Sequence, residues 1–497
     1  MREVLFLTLF TTIYLTSLFG EDDDILKRTL NSDCTLKDYY TYEELQSPDN
    51  AHSIPQMFSK GIFYGRLRLN SFAFDWKNEI KGSREDHQLF GFGGSFVFKS
   101  ANFNNFAVVA GLYTSFNPIS NGDENVETYK AGKGTLSRYD ASKTGKKSIT
   151  ALAQAYMEYI DRGVTLKFGR FLFESFLTKS NDTKMIPNSF EGFALTSRKI
   201  FDSKIKLAYL SRQKLRDHSN FHHVLAYGDD PKDDYAQYTQ NDDSAMHKGL
   251  TMSRLKEHKI DDKLFVAEIL HSPMENLFLT GNYTAVPDLI SSAMLEAKYK
   301  YYIRNFLIIP AVRYMKQYDN GAGEVAGANL KNNTVGYSNS DSLDSSLFAT
   351  KIDIRDDIWK LRIAYSKVAD KGDIVAPWRG FPTGGFTRAM GQYNWYANTK
   401  TYMLRLDYDF EEAGLIPEVK AYIRYAIQDF DDKKAGVQAD SKVMTLDILK
   451  YFDSIPNLYV KTRLAHIDGE SQNISLDGKV KKDPSYNELR FEVNYLF

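Results

Sequence analysis

The sequence of 497 residues has little of three features that would otherwise fix its architecture. It contains a single cysteine, Cys34, so no internal disulfide can form. Beyond the amino-terminal leader it has no run of 18 apolar residues, which excludes a transmembrane helix. Its 63 basic and 64 acidic side chains give a net charge of −1, so bulk charge indicates no nucleic-acid partner.

Aromatic residues and alternating polarity are abundant, with 32 Tyr and 33 Phe. The last twelve residues alternate with period two, and their apolar face carries Leu489, Phe491, Val493, Tyr495 and Phe497. A charged side chain on the lipid face at the bilayer midplane costs roughly 2–4 kcal/mol, so Arg490 and Glu492 are expected to face a polar interior. This pattern is typical of the closing strand of a transmembrane β-barrel, and the alternative is an edge strand of a soluble sheet. The mean hydropathy of −0.42 agrees with a barrel, because half of each strand faces water.

Eighteen segments show strand periodicity. They are 61–75, 88–99, 104–116, 149–160, 163–170, 191–200, 203–213, 263–270, 275–284, 290–302, 305–317, 344–355, 357–367, 398–410, 415–428, 440–452, 454–467 and 485–497. Short links alternate with long ones, as short periplasmic turns alternate with outer loops in barrels. A strand in 246–258 would make the count odd, so that piece is predicted as loop. The predicted fold is all-β: a transmembrane antiparallel up-and-down β-barrel of about 18 strands.

The amino end reads as a targeting segment. Residues 1–20 contain one early cation, Arg2, and then an apolar run that ends before an acidic stretch, which predicts a secretory signal peptide with Gly20 as the last residue removed. An uncleaved anchor is the alternative. Residues 21–60 lack alternation and are predicted to form an irregular periplasmic lead-in, followed by the barrel at 61–497. The terminal Phe497 resembles the signal by which bacterial outer-membrane barrels are recognised for insertion, so we expect an outer-membrane location.

One connection is unusually apolar for a loop. Phe171, Phe173, Phe176 and Phe190 lie between two predicted strands, in a stretch that also carries many charges. A loop of this kind is too apolar to extend into solvent. We therefore expect this long outer loop to fold into the lumen and pack on the inner wall.

The same segment resembles the third outer loop of the OprD family of outer-membrane porins. That loop is marked by Gly-Arg, an Asp, a basic-Met-x-Pro-Asn run and Phe-x-Gly, matched here by Gly169, Arg170, Asp182, Lys184, Met185, Pro187, Asn188, Phe190 and Gly192. Weaker matches extend over most of 55–497. Two departures stand out: Lys184 occupies a position where the family pattern suggests Arg, and the lead-in is long. The resemblance implies a substrate-selective passive channel that needs neither energy nor cofactor.

Candidate site residues follow from the loop and from strand alternation. The pore constriction loop is expected to contribute Arg170, Glu174, Lys179, Asp182, Lys184 and Glu191. Inward basic residues on strands are Arg66, Arg68, Arg362, Arg405, Arg424, Arg463 and Arg490. The resemblance implies that such a row guides carboxylates, which suits the planar fork of Arg. The alternative is that these arginines only pair with Asp407, Asp409, Glu418, Glu488 and Glu492 on neighbouring strands.

Other protein classes fit less well. No catalytic, metal or phosphate-binding constellation is visible, so neither an enzyme nor a cofactor is expected. A receptor with a folded plug would need a longer segment than 21–60. A surface adhesin or structural barrel remains an alternative, because the 214–262 and 368–397 loops are long. The expected partners are outer-membrane lipid and lipopolysaccharide, the barrel assembly machinery and small solutes including carboxylates or other anions, and the expected state is a monomer or trimer.

Overall fold

The structure is a computed structural model that describes residues 34–36, 42–44, 48–121, 129–200, 203–225, 228–229, 246–390, 393–470 and 473–497. The predicted signal peptide lies outside these residues. Within the lead-in, Cys34–Leu36 pairs with Tyr42–Glu44 in a small antiparallel sheet. A short helix, α1 (Ile54–Ser59), follows, so the expectation of a wholly irregular lead-in is wrong. The start of this helix could have been predicted from the sequence, because Ser53 caps the helix and proline occupies the first turn.

Eighteen antiparallel strands close into one barrel, which confirms the predicted fold class. Their bounds are β1 Ile62–Trp76, β2 His87–Lys99, β3 Phe106–Asn121, β4 Ser148–Asp161, β5 Val164–Phe171, β6 Ser189–Ile200, β7 Ser203–Lys214, β8 Leu264–Met274, β9 Leu277–Val286, β10 Ile290–Tyr299 with Tyr301–Ile303, β11 Phe306–Asp319, β12 Ser345–Arg355, β13 Trp359–Val368, β14 Lys400–Asp409, β15 Val419–Asp429, β16 Ser441–Tyr451, β17 Leu458–Gly469 and β18 Tyr486–Leu496. The barrel closes where β18 pairs with β1, in register from Tyr486 opposite Trp76 to Leu496 opposite Arg66.

Side chains alternate between the outer and inner faces of every strand, because successive residues in a strand point to opposite sides. On β14 the outward Tyr402 and Leu404 are about half exposed, at 50% and 49%, whereas the inward Arg405 is 2% exposed. On β18 the outward Leu489 is exposed and the inward Glu492 is buried. The wall therefore presents an apolar surface outside and a charged surface inside, as the sequence predicts.

Four further helical segments lie in the connections at the long-loop end. They are a 3₁₀ turn at Lys133–Thr135 and the helices α2 Arg138–Thr144, α3 Met252–His258 and α4 Ala322–Ala326. The 246–258 stretch thus contains helix α3 and no strand, and the Thr251 hydroxyl accepts from the Arg254 amide at its start. No helix in the described part of the chain is long and apolar enough to cross a bilayer.

Long connections fill part of the barrel interior with a hydrophobic core. Phe171, Phe173 and Phe190 are buried there together with Trp378 and Trp395. Phe171 ends β5, Phe173 lies in the loop after it and Phe190 lies at the start of β6. Trp378 and Trp395 come from the connection between β13 and β14. The two connections pack on the inner wall and on one another, and they define the passage between them.

Candidate functional site

The first inward loop, residues 172–188, is held to the wall by a buried ion triad. Asp182 contacts both Arg66 and Arg68 of β1, and the distance from Arg68 Nη1 to Asp182 Oδ1 is 2.9 Å. All three side chains are at most 2% exposed. Arg68 also donates to the backbone oxygen of Lys184, and Asn70 donates to the same oxygen at 3.3 Å. Because buried charges require partners, this triad fixes where the loop crosses the lumen.

The other side of the same loop is tied to β7 and β8. The Phe176 amide donates to Glu268 Oε2 at 2.7 Å, and Lys206 Nζ donates to the Glu174 backbone oxygen at 2.7 Å. Lys206 and Glu268 form an ion pair at 2.9 Å. The loop therefore spans the interior from the first strand to the eighth.

A second inward loop, residues 369–399, meets the first, although sequence reasoning placed 368–397 on the outside. The Lys179 amide donates to the Trp378 oxygen at 3.0 Å, and the Gly380 amide donates to the Leu177 oxygen at 2.9 Å. A Cβ on Gly380 would lie 2.3 Å from the Leu177 backbone, so only glycine permits this approach. Arg313 of β11 donates to two backbone oxygens of the loop, at 2.8 and 2.7 Å.

The two loops and the wall enclose a cavity of about 540 Å³. Among the described residues that line it, twenty are basic and five are acidic. The acidic ones are Glu268, Glu296, Asp353, Glu488 and Glu492. Low-dielectric walls that carry charge of one sign concentrate counter-ions. The cavity is thus strongly basic in a chain whose net charge is −1.

The second loop contributes an arginine held by aromatic rings. The Arg388 guanidinium carbon lies 5.0 Å from the centroid of Phe381, 5.1 Å from that of Tyr393 and 5.7 Å from that of Trp395. Burial lowers the pKa of Arg388 to about 10, so it stays charged at neutral pH. Cation–π contacts of this kind hold a guanidinium without neutralising it.

Four of the predicted arginines are ion-paired and also line the cavity. Arg362 pairs with Asp353 at 2.6 Å, Arg405 with Asp407 at 2.5 Å, Arg463 with Asp447 at 2.7 Å and Arg490 with Glu488 at 2.8 Å. For these four residues, the pairing that the alternative interpretation expected is present, and the side chains also line the cavity. Two of the anticipated partners bind lysine, since Asp409 pairs with Lys420 and Glu418 with Lys450.

Seven of the thirteen predicted pore residues line the cavity. They are Lys179, Lys184, Arg362, Arg405, Arg424, Arg463 and Arg490. Arg66, Arg68 and Asp182 lie instead beneath the first loop as its attachment. Glu174 accepts hydrogen bonds from the amide and hydroxyl of Ser180, inside the same loop.

Arg170 and Glu191 need a correction, because strand alternation places them on the outward side. They lie directly opposite one another on β5 and β6, 3.0 Å apart, and each is two residues from an outward phenylalanine, Phe168 and Phe193. The neighbouring Phe171 points inward and is fully buried. The prediction assigned Arg170 to the constriction loop, whereas strand β5 continues to Phe171. Because successive residues of a strand point to opposite faces, Phe171 faces the interior and Arg170 faces outward.

Several lining residues escaped the sequence analysis. Lys351 lies at an inward position of β12 and could have been found by alternation. Arg379 and Arg388 lie in the second loop, where no periodicity exists to orient them. The only available signal was the aromatic content of that loop. The described residues contain no group of three or more His, Cys, Asp or Glu side chains suited to a metal ion.

A closed barrel with two inward loops around a charged passage defines the class of outer-membrane diffusion channels. The model of the OprD family of outer membrane porins matches residues 162–497, and the chain belongs to that family. It is therefore an outer-membrane porin for small solutes, and the comparisons give no support to the adhesin alternative.

Solved structures of porins from two bacteria share this fold. Pseudomonas aeruginosa OccK9 (OpdG) is 15% identical with a TM-score of 0.67, covering 89% of this chain and 99% of its own. Pseudomonas aeruginosa OpdK, solved with vanillate, is 14% identical with a TM-score of 0.65, covering 88% and 98%. Acinetobacter baumannii OccAB4 is 12% identical, with a TM-score of 0.65 and the same two coverages. A comparison with curated proteins gave no match.

Proposed function

We propose that this porin conducts small anions, carboxylate-bearing solutes foremost, down their gradient without a cofactor or catalysis. The observation that carries the proposal is the cavity lining, with twenty basic and five acidic side chains. OpdK, which shares the fold, was solved with vanillate. That molecule belongs to the solute class that such a lining favours.

The arginines suit this role because of how they are held. A guanidinium carries five donors, and a carboxylate partner uses only some of them. In the Arg362 pair with Asp353, Nε and one terminal nitrogen are used, at 2.6 and 2.9 Å. The pairing fixes the orientation of the fork while the side chain still lines the passage. A solute carboxylate can then replace its hydrogen bonds to water with hydrogen bonds from successive arginines along the wall.

The test is ion selectivity measured across a planar bilayer in a salt gradient. Replacing Arg388 and Arg424 by Gln removes two lining charges without touching the four arginine–carboxylate pairs. We expect the reversal potential to shift toward cation preference and benzoate influx into liposomes to slow. The shift should shrink in 1 M salt, where the screening length falls to about 3 Å.

A charge-neutral control separates selectivity from folding. The double change Arg490→Gln with Glu488→Gln removes one ion pair, whose distance is 2.8 Å, and because both of its members line the cavity the net lining charge stays the same. We expect this control to keep the original reversal potential. If the Arg388→Gln, Arg424→Gln variant also kept it, the basic lining would not set selectivity and the proposal would fail.

We also propose that maturation removes residues 1–20 and that residues 21–60 stay in the periplasm. The apolar run and the acidic stretch after it support cleavage, and the position of β1 next to the carboxy-terminal strand supports a periplasmic start. The intact mass of the purified protein tests the cleavage site. A native mass measured in mild detergent distinguishes a monomer from a trimer.

A further inference from the structure

The outer surface of strands β13 and β14 carries an ordered series of residues. Facing pairs from the long-loop end downward are Lys367 with Lys400, Tyr365 with Tyr402, Ile363 with Leu404, Leu361 with Leu406 and Trp359 with Tyr408. Aromatic pairs thus bound an aliphatic band at both ends. Six residues of strand span roughly 20 Å, close to the apolar band of about 25 Å in outer-membrane barrels. The two lysines lie just beyond the outer aromatic girdle, at headgroup level.

Two lysines facing one another on adjacent strands are unfavourable unless an anion lies nearby. Lys367 is exposed, and Lys400 contacts Asp429 of β15 at 3.1 Å, so one carboxylate compensates one of the two charges. Lysines flank the pair on the same outward face, Lys316 on β11 and Lys442 on β16. Lys316 lies 4.0 Å from Asp344. Lys442 lies opposite Asp468 of β17, so the charge without an adjacent carboxylate partner in the sector from β11 to β16 is at the Lys367 and Lys400 pair.

The same level elsewhere on the barrel differs. Across the closing seam, Asn487 donates to Asp75 at 2.9 Å, and Lys77 pairs with Asp468 at 3.3 Å. These groups are acidic, amide or mutually neutralised. On β5 to β7, the outward Arg170 and Arg212 lie on either side of Glu191, and Arg170 pairs with it at 3.0 Å. The pair Lys367 and Lys400 differs because two like charges lie directly opposite one another, next to the facing pair Tyr365 and Tyr402.

We propose that Lys367 and Lys400 form a binding site for the phosphate groups of the phosphorylated glycolipid in the outer leaflet. The acyl chains would lie along the aliphatic band below, and Tyr365 and Tyr402, whose ring centroids are 5.1 Å apart, would support the sugar level. Lysine is a strong point-charge partner for phosphate, and amphipathic aromatic rings favour the interface. The site lies outside the lumen and is independent of solute conduction.

The experiment measures how much lipid A stays bound to the full-length barrel by native mass spectrometry. The purified protein is placed in micelles with diphosphorylated lipid A, dephosphorylated lipid A or phosphatidylglycerol. The test variant is Lys367→Gln with Lys400→Gln. Its control is Lys450→Gln, which removes an outward lysine at the opposite rim, beside Glu418 at 2.6 Å. Each lysine near an anionic surface contributes roughly fivefold, so we expect about a thirtyfold loss in the double variant.

The expected pattern is retention of diphosphorylated lipid A by the wild type and by the control, and weak retention of the other two lipids. The variant Lys367→Arg with Lys400→Arg should keep binding, and the reversal potential of the double Gln variant should be unchanged. Equal retention of the phosphorylated and dephosphorylated forms would overturn the proposal. Equal retention of phosphatidylglycerol would also overturn it, because the sector would then attract any anionic lipid.

Discussion

The ion triad beneath the first inward loop can be broken by a single isosteric substitution, Asp182→Asn. This change keeps the shape of the side chain but leaves Arg66 and Arg68 side by side, buried, and without their shared carboxylate. Removing one partner of a buried pair costs about 3–5 kcal/mol. Since about 1.4 kcal/mol corresponds to tenfold, the docked loop should lose roughly two to nearly four powers of ten in its equilibrium over the undocked state.

The barrel should survive this change, because the triad joins a loop to the wall and takes no part in the strand pairing between β18 and β1. We therefore expect folded protein of normal heat-modifiable mobility, with larger and noisier single-channel conductance. Replacing Asp182 by Asn and both Arg66 and Arg68 by Gln should partly reduce the noise in the single-channel current, because none of the three triad charges then remains buried without its partners.

Lys179→Gln in the same loop is the matched control. Its contact with Glu174 is 3.5 Å long and both side chains are partly exposed, so the expected cost is at most about 1 kcal/mol. Conductance of Asp182→Asn equal to that of the control would refute the reasoning that the triad holds the loop in the lumen.

Two further predictions concern the carboxy-terminus and pH. Deleting Phe497, whose amide and oxygen pair with Gly65, should lower the outer-membrane yield of folded barrel, whereas Phe497→Tyr should not; equal yields for all forms would contradict an assembly role. Burial, reinforced by the charge of Arg84, lowers the pKa of the cavity residue Lys130 to about 8. Its charge is therefore present at pH 7 and lost by pH 9, so anion preference should fall over that interval. Lys130→Arg should retain the preference, and an identical fall in that variant would assign the effect to another group.

Strand positions were predictable because the bilayer imposes a strict pattern. Each strand must be apolar on every second residue, so Tyr402 and Leu404 identify the outer face and Arg405 the inner one. The first inward loop was predictable for a related reason, since Phe171 and Phe190 had no other apolar surface to cover. Both inferences use constraints that act within about twenty consecutive residues.

The attachments of the loops could not be predicted in the same way. Asp182 and Arg66 are 116 positions apart, and nothing local indicates that they meet. The contact between Leu177 and Gly380 joins loops on opposite parts of the chain, and it depends on a glycine without a Cβ. The prediction for Arg170 was wrong for a local reason. The Gly-Arg motif was recognised, but it does not specify at which residue the strand ends, and an error of one residue changes the face on which Arg170 lies.

The charge of the lining also could not be read from composition. A net charge of −1 for the chain says little about the field in the passage, since screening at physiological salt limits interactions to about 8 Å. What matters is which carboxylates lie within that distance and on which side of the arginines. Asp407 and Asp447 pair with lining arginines but do not themselves line the cavity, whereas Arg405 and Arg463 do. These carboxylates therefore offset the free-energy cost of burying the arginines without lining the cavity themselves. A solute in the passage contacts the arginines rather than their carboxylate partners.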